Sequence, residues 1–287
     1  MTPKIIFITG CSSGIGYDAA MTLKSRGHRV IASCRQLADV EKLLQLGVDT
    51  IQLDVNDERS IASAVTCLLE KTDGQLDILI NNAGYGQAGA LEDVPRSALI
   101  AQFNTNVFGL MELTRLVIPV MRKQGRGRII NISSVLGFIS MPFRGAYNAS
   151  KYAVEGLSDT LRLELKPAGI DVITFEPGPI ESRFREHVVE HSMQSIDIEH
   201  SHFKRQYQHM LNHFQAGKNQ SRLTQQTDAV IHKLVRAIEA KSPKPKYLVT
   251  LPTYVFMILK RMLSVKLLDK CLSIISKREM DHSIDES

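Results

Sequence analysis

The feature that most constrains the fold lies near the N-terminus, where a short apolar run leads directly into a glycine-rich turn. The run KIIFIT extends from Lys4 to Thr9, and the turn GCSSGIG carries Gly10, Gly14 and Gly16. Such a turn typically joins a buried strand to a helix. Its glycines let the backbone bend sharply, and they also let the backbone approach a ligand closely. The chain is therefore expected to begin with a strand, a glycine turn and a helix.

Three functions are known for glycine-rich turns of this kind: a hydrolase nucleophile elbow, a Walker A phosphate loop and a dinucleotide-binding turn. Gly10 to Gly14 matches G-x-S-x-G, the nucleophile elbow of α/β-hydrolases. A hydrolase elbow needs an oxyanion-hole amide from a loop after an earlier strand, and the turn already follows the first predicted strand. A Walker A loop would close on Gly-Lys-Ser/Thr, which the turn lacks. The remaining interpretation is a dinucleotide turn, in which the helix that begins near Ile15 presents its amides and positive dipole end to a pyrophosphate.

Beyond the turn, short β-branched runs alternate with amphipathic segments. Apolar runs bounded by Gly, Asp and Asn are typical of parallel strands that are buried on both faces. The predicted strands are 4–9, 29–33, 49–53, 77–81, 128–132 and 171–175, with 246–250 as an edge strand. The predicted helices are 15–25, 58–71, 103–123, 146–166 and 227–240. This order predicts a single Rossmann-type α/β domain, a doubly wound parallel sheet of about seven strands with helices on both faces.

The C-terminal third departs from this alternation. Residues 1–250 are predicted to form the Rossmann domain, in which the polar, His-rich segment 181–220 is a substrate-binding flap. Residues 251–287 are predicted to form an apolar helix over 254–275 and a polar tail. That helix is expected to pack over the substrate cleft rather than on an anionic membrane surface, because its charges do not collect on one helical face.

The flap raises the question of a metal site. Its histidines form two pairs with i,i+4 spacing, His187 with His191 and His209 with His213. This spacing occurs among metal ligands, but no HExxH motif accompanies it. Solvated or substrate-lining histidines are the preferred interpretation, and no metal is predicted.

The composition of the chain argues against several kinds of binding partner and location. The 287 residues carry a net charge of +5, without Trp and without basic blocks interleaved with aromatics, so no nucleic acid partner is expected. The four cysteines show neither a CxxC pair nor regular spacing, which argues against a disulfide framework and favours a cytoplasmic location. No run approaches the ~18 consecutive apolar residues of a membrane span.

A tyrosine and a lysine supply the candidate chemistry. Tyr147 and Lys151 lie four residues apart on a predicted helix, so their side chains share one face. A phenol has a pKa of about 10, and a nearby ammonium together with the cationic nicotinamide of an oxidised dinucleotide favours the phenolate. Ser134, on the loop after the fifth strand, can hydrogen-bond a substrate oxygen. Together they predict proton transfer to a carbonyl or from an alcohol.

Several motifs in this order resemble those of the short-chain dehydrogenase/reductase family, from residue 4 to about 183. They are the turn TGxxxGIG, NNAG at Asn81–Gly84, Asn106 in NTNV, Ser134, the YxxxK element at Tyr147–Lys151, and Pro177-Gly178. The stretches ITGCSSGIG, LDV, GPIES and YNASKYAVEGL are similar to the 17β-hydroxysteroid dehydrogenase and retinol dehydrogenase branch. After residue 183 the resemblance becomes diffuse.

The resemblance implies roles for individual residues. The implied catalytic residues are Asn106, Ser134, Tyr147 and Lys151, with Asn106 holding a water that links Lys151 to solvent. The implied cofactor-binding residues are Gly10, Ser12, Ser13, Gly14, Ile15, Gly16, Arg35, Asp54, Val55, Asn82, Ala83, Gly84, Tyr147, Lys151, Pro177, Gly178, Ile180 and Ser182. Asp54 would contact the adenine, although it is also a candidate helix cap. Family members pair helices across a two-fold axis, which implies a homodimer through 103–123 and 146–166.

The end of the second strand bears on the choice of cofactor. NAD enzymes place an Asp or Glu there to bind the ribose hydroxyls. This chain has Cys34 at that position, followed by Arg35, and no acid within 32–36. A guanidinium suits a 2′-phosphate, to which Ser12 can add a hydroxyl. NADP(H) is therefore predicted in preference to NAD(H); the alternative is that Arg35 is a solvated residue at a strand end.

The predicted function is an NADP(H)-dependent oxidoreductase. Its substrate would be a small apolar carbonyl or alcohol, such as a steroid, a retinoid or a fatty aldehyde. An epimerase or dehydratase of the wider family is an alternative, although those enzymes usually carry TGxxGxxG and a larger C-terminal domain. A regulatory protein that senses the dinucleotide is a second alternative, and it would be expected to lack part of the Ser–Tyr–Lys set.

Overall fold

The computed structural model describes residues 2–181, 188, 192, 195–215 and 224–281, with side chains omitted for 212–215 and 277–281. Seven parallel strands form one sheet in the order β3-β2-β1-β4-β5-β6-β7. The strands are β1 (Ile5–Ile8), β2 (Arg29–Cys34), β3 (Asp49–Gln52), β4 (Ile78–Asn81), β5 (Gly127–Ile132), β6 (Ile170–Glu176) and β7 (Lys246–Leu248). The predicted fold class is confirmed, and the segment predicted as an edge strand is β7.

Helices cover both faces of the sheet. They are α1 (Gly14–Ser25), α2 (Leu37–Gln45), α3 (Glu58–Lys71), α4 (Arg96–Phe103), α5 (Leu110–Gln124), α6 (Gly145–Leu165), α7 (Lys204–Gln215), α8 (Asp228–Glu239), α9 (Leu251–Met262) and α10 (Val265–Asp281). Because side chains alternate along a strand, Ile6 and Ile8 of β1 pack under α1, α2 and α8, whereas Phe7 packs under α3, α5 and α6.

Three helix predictions were wrong or incomplete. The helix predicted over 103–123 starts at the last residue of α4 and continues through a π-helical segment over Asn104–Gly109 into α5, while the rest of α4 was not predicted. The nine-residue helix α2 was not predicted, although Val40 and Leu43 bury one of its faces. The helix predicted over 254–275 is two helices, because Leu263 leaves the helical conformation with a ψ of 145°. Hydrophobic periodicity does not show such a break, since it ignores backbone dihedral angles.

The sheet places the candidate site at one edge. All strands run parallel, so their carboxyl ends meet there, and β1 lies between β2 and β4 where the strand order reverses. Ligands of doubly wound sheets bind in the crevice outside this point. The glycine turn follows β1, Arg35 follows β2, and the NNAG motif begins at the end of β4.

Candidate active site

The glycine turn has the shape of an anion cradle. Gly10 and Gly14 have φ angles of +71° and +59°, a backbone conformation that residues with a side chain rarely adopt. A Cβ on Gly16 would collide with the Gly10 carbonyl oxygen and with Asn82 Nδ2. Ser13 is the N-cap of α1, and its side chain makes no capping hydrogen bond. The first amides of α1 therefore have no capping side chain and are available to bind an anionic group such as the pyrophosphate of a dinucleotide.

Asn82 fixes this turn in place. Its side-chain amide donates to the carbonyl oxygens of Thr9 and Gly10, both at 2.9 Å. Thr9 Oγ1 in turn accepts from the backbone amides of Asn82 and Ala83, both at 3.0 Å. Both amide hydrogens of the Asn82 side chain are thus used inside the protein. Thr9 was missed by the sequence reasoning, and its position directly before the first glycine is the signal that points to it.

Asn106 lies in the π-helical segment and is buried. Its Nδ2 donates to the Tyr85 carbonyl at 2.9 Å and to Ser150 Oγ at 3.0 Å, and its Oδ1 accepts from the Tyr85 amide at 3.1 Å. A Cβ on Gly84 would come within 3.0 Å of Asn106 Oδ1. The side chain therefore joins the loop after β4 to α6, while the water that it is expected to hold stays a prediction. Single-turn π segments of this kind are frequent at functional sites.

Ser134, Tyr147 and Lys151 meet at the start of α6. The Ser134 hydroxyl accepts from the Leu136 amide at 3.1 Å and hydrogen-bonds the Tyr147 side chain. The Lys151 ammonium donates to the Ile132 carbonyl at 2.7 Å and lies 5.7 Å from the centre of the Tyr147 ring. Ser134 and Lys151 are buried and Tyr147 is partly buried. The structure brings the three predicted residues together.

Burial controls the acid–base properties of the pair. It raises the pKa of the Tyr147 phenol to about 12, and the hydrogen bond from Ser134 offsets part of this rise. It lowers the pKa of the Lys151 ammonium to about 8, whereas the Glu155 carboxylate acts in the opposite direction. The expected shift towards phenolate is therefore not produced by the chain alone. Desolvation, which a sequence does not reveal, keeps the phenol neutral near neutral pH.

A buried charge cluster behind Lys151 was missed by the sequence reasoning. Glu155 lies one turn after Lys151 on α6, and Glu176 ends β6. Lys246 Nζ contacts Glu155 Oε2 at 2.6 Å, Asp159 Oδ1 at 3.3 Å and Glu176 Oε1 at 3.8 Å. The i,i+4 spacing of Lys151 and Glu155 is the signal that points to part of this cluster.

One proton links the two glutamates. Burial, followed by the nearby Glu155 charge, raises the pKa of Glu176 to about 8. Glu155 Oε1 and Glu176 Oε2 are both buried and, written as carboxylates, have no hydrogen-bond partner among the described residues. A proton held by Glu176 near neutral pH lets the two carboxyl groups share a hydrogen bond instead of repelling each other. Glu155 is the carboxylate of this cluster that stabilises the charge of Lys151.

Asp54 lies in the turn after β3. Its Oδ1 accepts from the backbone and the side-chain amide of Asn56, at 2.9 and 3.1 Å. The residue that caps α3 is Asp57, which accepts from the Arg59 amide. The alternative in which Asp54 caps that helix is therefore wrong, while its contact with adenine stays a prediction. The neighbouring Val55 carbonyl lies so close to Gly109 that a Cβ there would collide with it.

At the end of β2, a buried residue, Cys34, is followed by an exposed one, Arg35. The Cys34 thiol is buried, and this burial raises its pKa to about 11. Arg35 is exposed, and its guanidinium makes no ion pair or hydrogen bond within the described part of the chain. Ser12 in the glycine turn is exposed as well. The predicted phosphate-binding groups are thus at the surface, and their role in cofactor preference stays a prediction.

The segment after β6 closes the site on its other side. The Pro177 carbonyl accepts from the Val135 amide at 2.8 Å, which holds the segment to the loop that carries Ser134. A Cβ on Gly178 would collide with Thr250 Oγ1. Ile180 forms an isolated bridge with Gln225.

Four of the predicted residues cannot be placed in full. Ser182, His187 and His191 lie outside the described residues, as does the side chain of His213. Among the residues that are described, no group of three or more His, Cys, Asp and Glu side chains could hold a metal ion.

Comparisons with known proteins agree with this geometry. A family model described as short chain dehydrogenase matches residues 4–192. The chain is 39% identical over 269 residues to an uncharacterized oxidoreductase, YbbO of Escherichia coli K12, with 94% of each chain covered. It is 32% identical over 263 residues to 17-beta-hydroxysteroid dehydrogenase type 1 of Homo sapiens, with 87% of this chain and 78% of that protein covered.

A solved structure supports the same conclusion. The crystal structure of a short-chain dehydrogenase from Streptomyces avermitilis superposes with a TM-score of 0.73 at 25% identity, over 98% of both chains. The resemblance inferred from the motifs is confirmed, including the branch that contains 17β-hydroxysteroid dehydrogenase. The two relatives are named as an oxidoreductase and a dehydrogenase. This chain belongs to the short-chain dehydrogenase family.

Proposed function

We propose that the protein is an NADP(H)-dependent oxidoreductase that interconverts the carbonyl and alcohol forms of a small apolar substrate. The observation that carries this proposal is the arrangement of Ser134, Tyr147 and Lys151 at the start of α6. All three side chains lie within one site beside the glycine turn, whereas a protein that only senses the dinucleotide has no need for them.

Each residue has a distinct chemical task. The bound nicotinamide supplies or accepts the hydride. A Tyr147 phenol with a raised pKa is neutral near neutral pH, so it holds the proton that a forming alkoxide needs. The Ser134 hydroxyl orients the substrate oxygen towards Tyr147. Lys151, with a pKa of about 8, is mostly charged near neutral pH and stabilises the phenolate that remains.

The surroundings of Tyr147 favour an apolar substrate. The loop after β5 contributes a cluster of buried apolar side chains, against which Tyr147 is partly buried. Helices α9 and α10 extend the cluster with Phe256, Met257, Leu268 and Leu272. Because the cluster is apolar, a hydrocarbon body fits beside the phenol better than a sugar.

Cofactor preference rests on Arg35. Its exposed guanidinium can bind a 2′-phosphate with two donors, and no acid within 32–36 is available for the ribose hydroxyls of NAD. The guanidinium and the Ser12 hydroxyl therefore support NADP(H) over NAD(H).

A homodimer through the region of α5 and α6 is also part of the proposal. Phe108 in the π-helical segment and Leu163 in α6 are exposed, at 57% and 72%, on the helices for which pairing is expected. A two-fold interface would cover such side chains. A cytoplasmic location stays a prediction.

Steady-state turnover tests the proposed function. The protein is mixed with NADPH or NADH and a panel of apolar ketones and aldehydes, and loss of the reduced nicotinamide is followed by absorbance. A polar ketose of similar reactivity serves as the substrate control. We expect turnover of at least one apolar carbonyl and a higher kcat/KM with NADPH. Failure to turn over any carbonyl, with nucleotide binding intact, would contradict the proposed reaction; equal efficiency with NADH would contradict only the role of Arg35.

A further inference from the structure

Helix α9 has two apolar faces. Thr253, Phe256 and Met257 face the protein, and Lys260 donates to the Phe138 carbonyl from the same face. The opposite face consists of large exposed side chains at i, i+3, i+4, i+7 and i+11: Leu251, Tyr254, Val255, Ile258 and Met262. At about 100° per residue this spacing forms one narrow stripe. Packing of the helix against the protein therefore leaves a second apolar stripe uncovered.

Helix α10 continues this surface. Leu268, Leu272 and Ile275 pack into the apolar cluster around Tyr147. Leu267 and Ile274, which lie about 110–130° around the helix from these side chains, are exposed at i and i+7, with Lys270 between them. Val265, at the start of the helix, is 75% exposed. We refer to the exposed apolar side chains of α9 and α10 together as the outer face; its members are Leu251, Tyr254, Val255, Ile258, Met262, Val265, Leu267 and Ile274.

The outer face is not a chance scatter of surface residues. Sixteen large apolar side chains are exposed in the described part of the chain, and eight of them lie on this face. Isolated exposed apolar residues are ordinary on a protein surface, whereas the concentration of eight of them within residues 251–274 indicates an interaction site.

The charged residues around the outer face indicate what kind of partner it fits. Residues 251–276 contain four cations and one acid, Asp269, so this segment carries +3 of the net charge of +5. Arg261, Lys266 and Lys270 are exposed beside the apolar stripe. Lys233 of α8 adds a cation at the rim, where its Nζ lies 5.0 Å from the centre of the Tyr254 ring. The surface therefore combines apolar side chains with a cationic border.

Packing over the substrate cleft was expected from the sequence in preference to docking on an anionic membrane, and the inner faces of α9 and α10 do pack into the cluster around Tyr147. Because that packing leaves the outer face uncovered, we propose that the outer face docks on the surface of an anionic lipid bilayer, so that the two interactions use different sides of the same segment. Apolar side chains of an amphipathic helix enter the interface, while flanking lysines and arginines extend their charges to anionic headgroups. A second copy of this chain is the less suitable occupant, because an isologous contact would bring the same cations face to face. The proposed contact is with the bilayer surface only, since no described helix is long and apolar enough to cross a membrane.

The position of the face relates it to the active site. The inner faces of α9 and α10 pack in the same cluster as Tyr147. A bilayer under the outer face would thus lie one helix thickness from the substrate cleft, and an apolar substrate could pass from lipid to site without crossing water. The docking itself does not depend on the proposed reaction.

Vesicle co-sedimentation of the full chain tests the proposal. Vesicles of phosphatidylglycerol and phosphatidylcholine in equal parts are compared with vesicles of phosphatidylcholine alone. We expect sedimentation with the anionic vesicles, weakened by high salt. The double variant Ile258→Glu/Met262→Glu should lower the binding at least about tenfold, and Arg261→Glu/Lys266→Glu should remove the preference for anionic lipid.

Leu44→Glu/Leu46→Glu is the matched control, because it places the same two charges on exposed leucines at the end of α2, far along the chain from the outer face. Thermal unfolding establishes that each variant is folded, and light scattering reports the oligomeric state. The proposal is overturned if the unmodified protein stays in the supernatant with anionic vesicles, or if Ile258→Glu/Met262→Glu binds as Leu44→Glu/Leu46→Glu does. Loss of an oligomer in that double variant, without vesicle binding by the unmodified protein, would assign the outer face to a second copy.

Discussion

The two ends of the candidate site are built in different ways. At α6, Ser134 and Lys151 are buried and hydrogen-bonded, and Tyr147 packs against them with its pKa raised to about 12. At the end of β2, Arg35 extends into solvent, and its guanidinium has no partner within the described residues. The fold thus holds the acid–base groups in place, whereas the side chain proposed to select the cofactor can be substituted without disturbing the fold.

This difference separates two kinds of effect. A change at the buried end should alter the chemical step, because transition-state stabilisation depends on preorganised groups. A change at the exposed end should alter nucleotide affinity and leave the fold intact, since the Arg35 guanidinium makes no hydrogen bond or ion pair with another described residue and its backbone carbonyl, which accepts from Gln52 Nε2, is kept in any substitution. The following substitutions test this separation.

The largest effect is expected at Tyr147. Tyr147→Phe keeps the ring in the apolar cluster but removes the proton donor, so kcat should fall by about a thousandfold. The dissociation constant of NADPH, measured by fluorescence titration, should change little because the phenyl ring is retained. Retention of more than about a tenth of the activity, a barrier change under ~1.4 kcal/mol, would contradict the assignment of Tyr147.

A somewhat smaller effect is expected in the glycine turn. In Gly16→Ala the new methyl group meets the Gly10 carbonyl and Asn82 Nδ2, so the turn must open. NADPH affinity should fall by about a hundredfold, because the α1 amides lose their alignment with the pyrophosphate. Gly156→Ala is the matched control, since a Cβ on this helical glycine meets no atom within 4 Å. Equal nucleotide affinity in both variants would show that the turn does not hold the cofactor.

A third substitution tests the exposed end. Arg35→Ala should raise the dissociation constant of NADPH by about tenfold to a hundredfold, because hydrogen bonds to a charged group are worth about 1.5–3 kcal/mol. The dissociation constant of NADH and the melting temperature should stay the same.

Adding Cys34→Asp to Arg35→Ala should reverse the preference towards NADH, since a carboxylate repels the 2′-phosphate and accepts from the ribose hydroxyls. Cys34 is buried, so thermal unfolding of the double variant must be measured alongside. An unchanged NADPH affinity in Arg35→Ala would favour the alternative in which Arg35 is a solvated residue at a strand end.

The smallest expected effect concerns the carboxylate cluster behind Lys151. Glu176 has a pKa of about 8 in the folded chain against 4.5 for an ordinary carboxyl, so the folded protein holds a proton that the unfolded chain has lost. The stability that Glu176 contributes is therefore fully present below 4.5 and is lost as pH rises through 8.

Glu176→Gln cannot titrate and should lose less stability than the unmodified protein when pH rises from about 6 to about 9, as measured by thermal unfolding. Glu155 on α6 and Lys246 on β7 act on the Glu176 carboxyl, Asp159 contacts the same lysine, and all three remain in the variant. An identical pH dependence in both proteins would mean that Glu176 is ionised throughout.

The sequence predicted the elements whose pattern is local. The alternation of Ile6, Phe7 and Ile8 in β1 and the i,i+4 spacing of Tyr147 and Lys151 both follow from side-chain periodicity. These features were sufficient to predict the parallel sheet and the position of the pair on one helix face.

Features that depend on contacts distant in the sequence were not predictable in this way. Thr9 meets Asn82 across 73 residues, and Lys246 meets Glu155 across 91. The raised pKa of Tyr147 arises from burial by the loop after β5 and the C-terminal helices, none of which its own helix reveals. The break at Leu263 depends on a backbone angle, so no hydrophobic pattern marks it.

The central claim is that this chain transfers hydride between a nicotinamide and a carbonyl carbon, with the proton held by Tyr147. The most direct test uses NADPH with deuterium at the transferred position and the best carbonyl of the panel, and the alcohol product is examined by mass spectrometry and NMR. The account predicts one deuterium on the carbinol carbon, and no alcohol above background from Tyr147→Phe. An alcohol without deuterium at that carbon, or equal product from Tyr147→Phe, would contradict it.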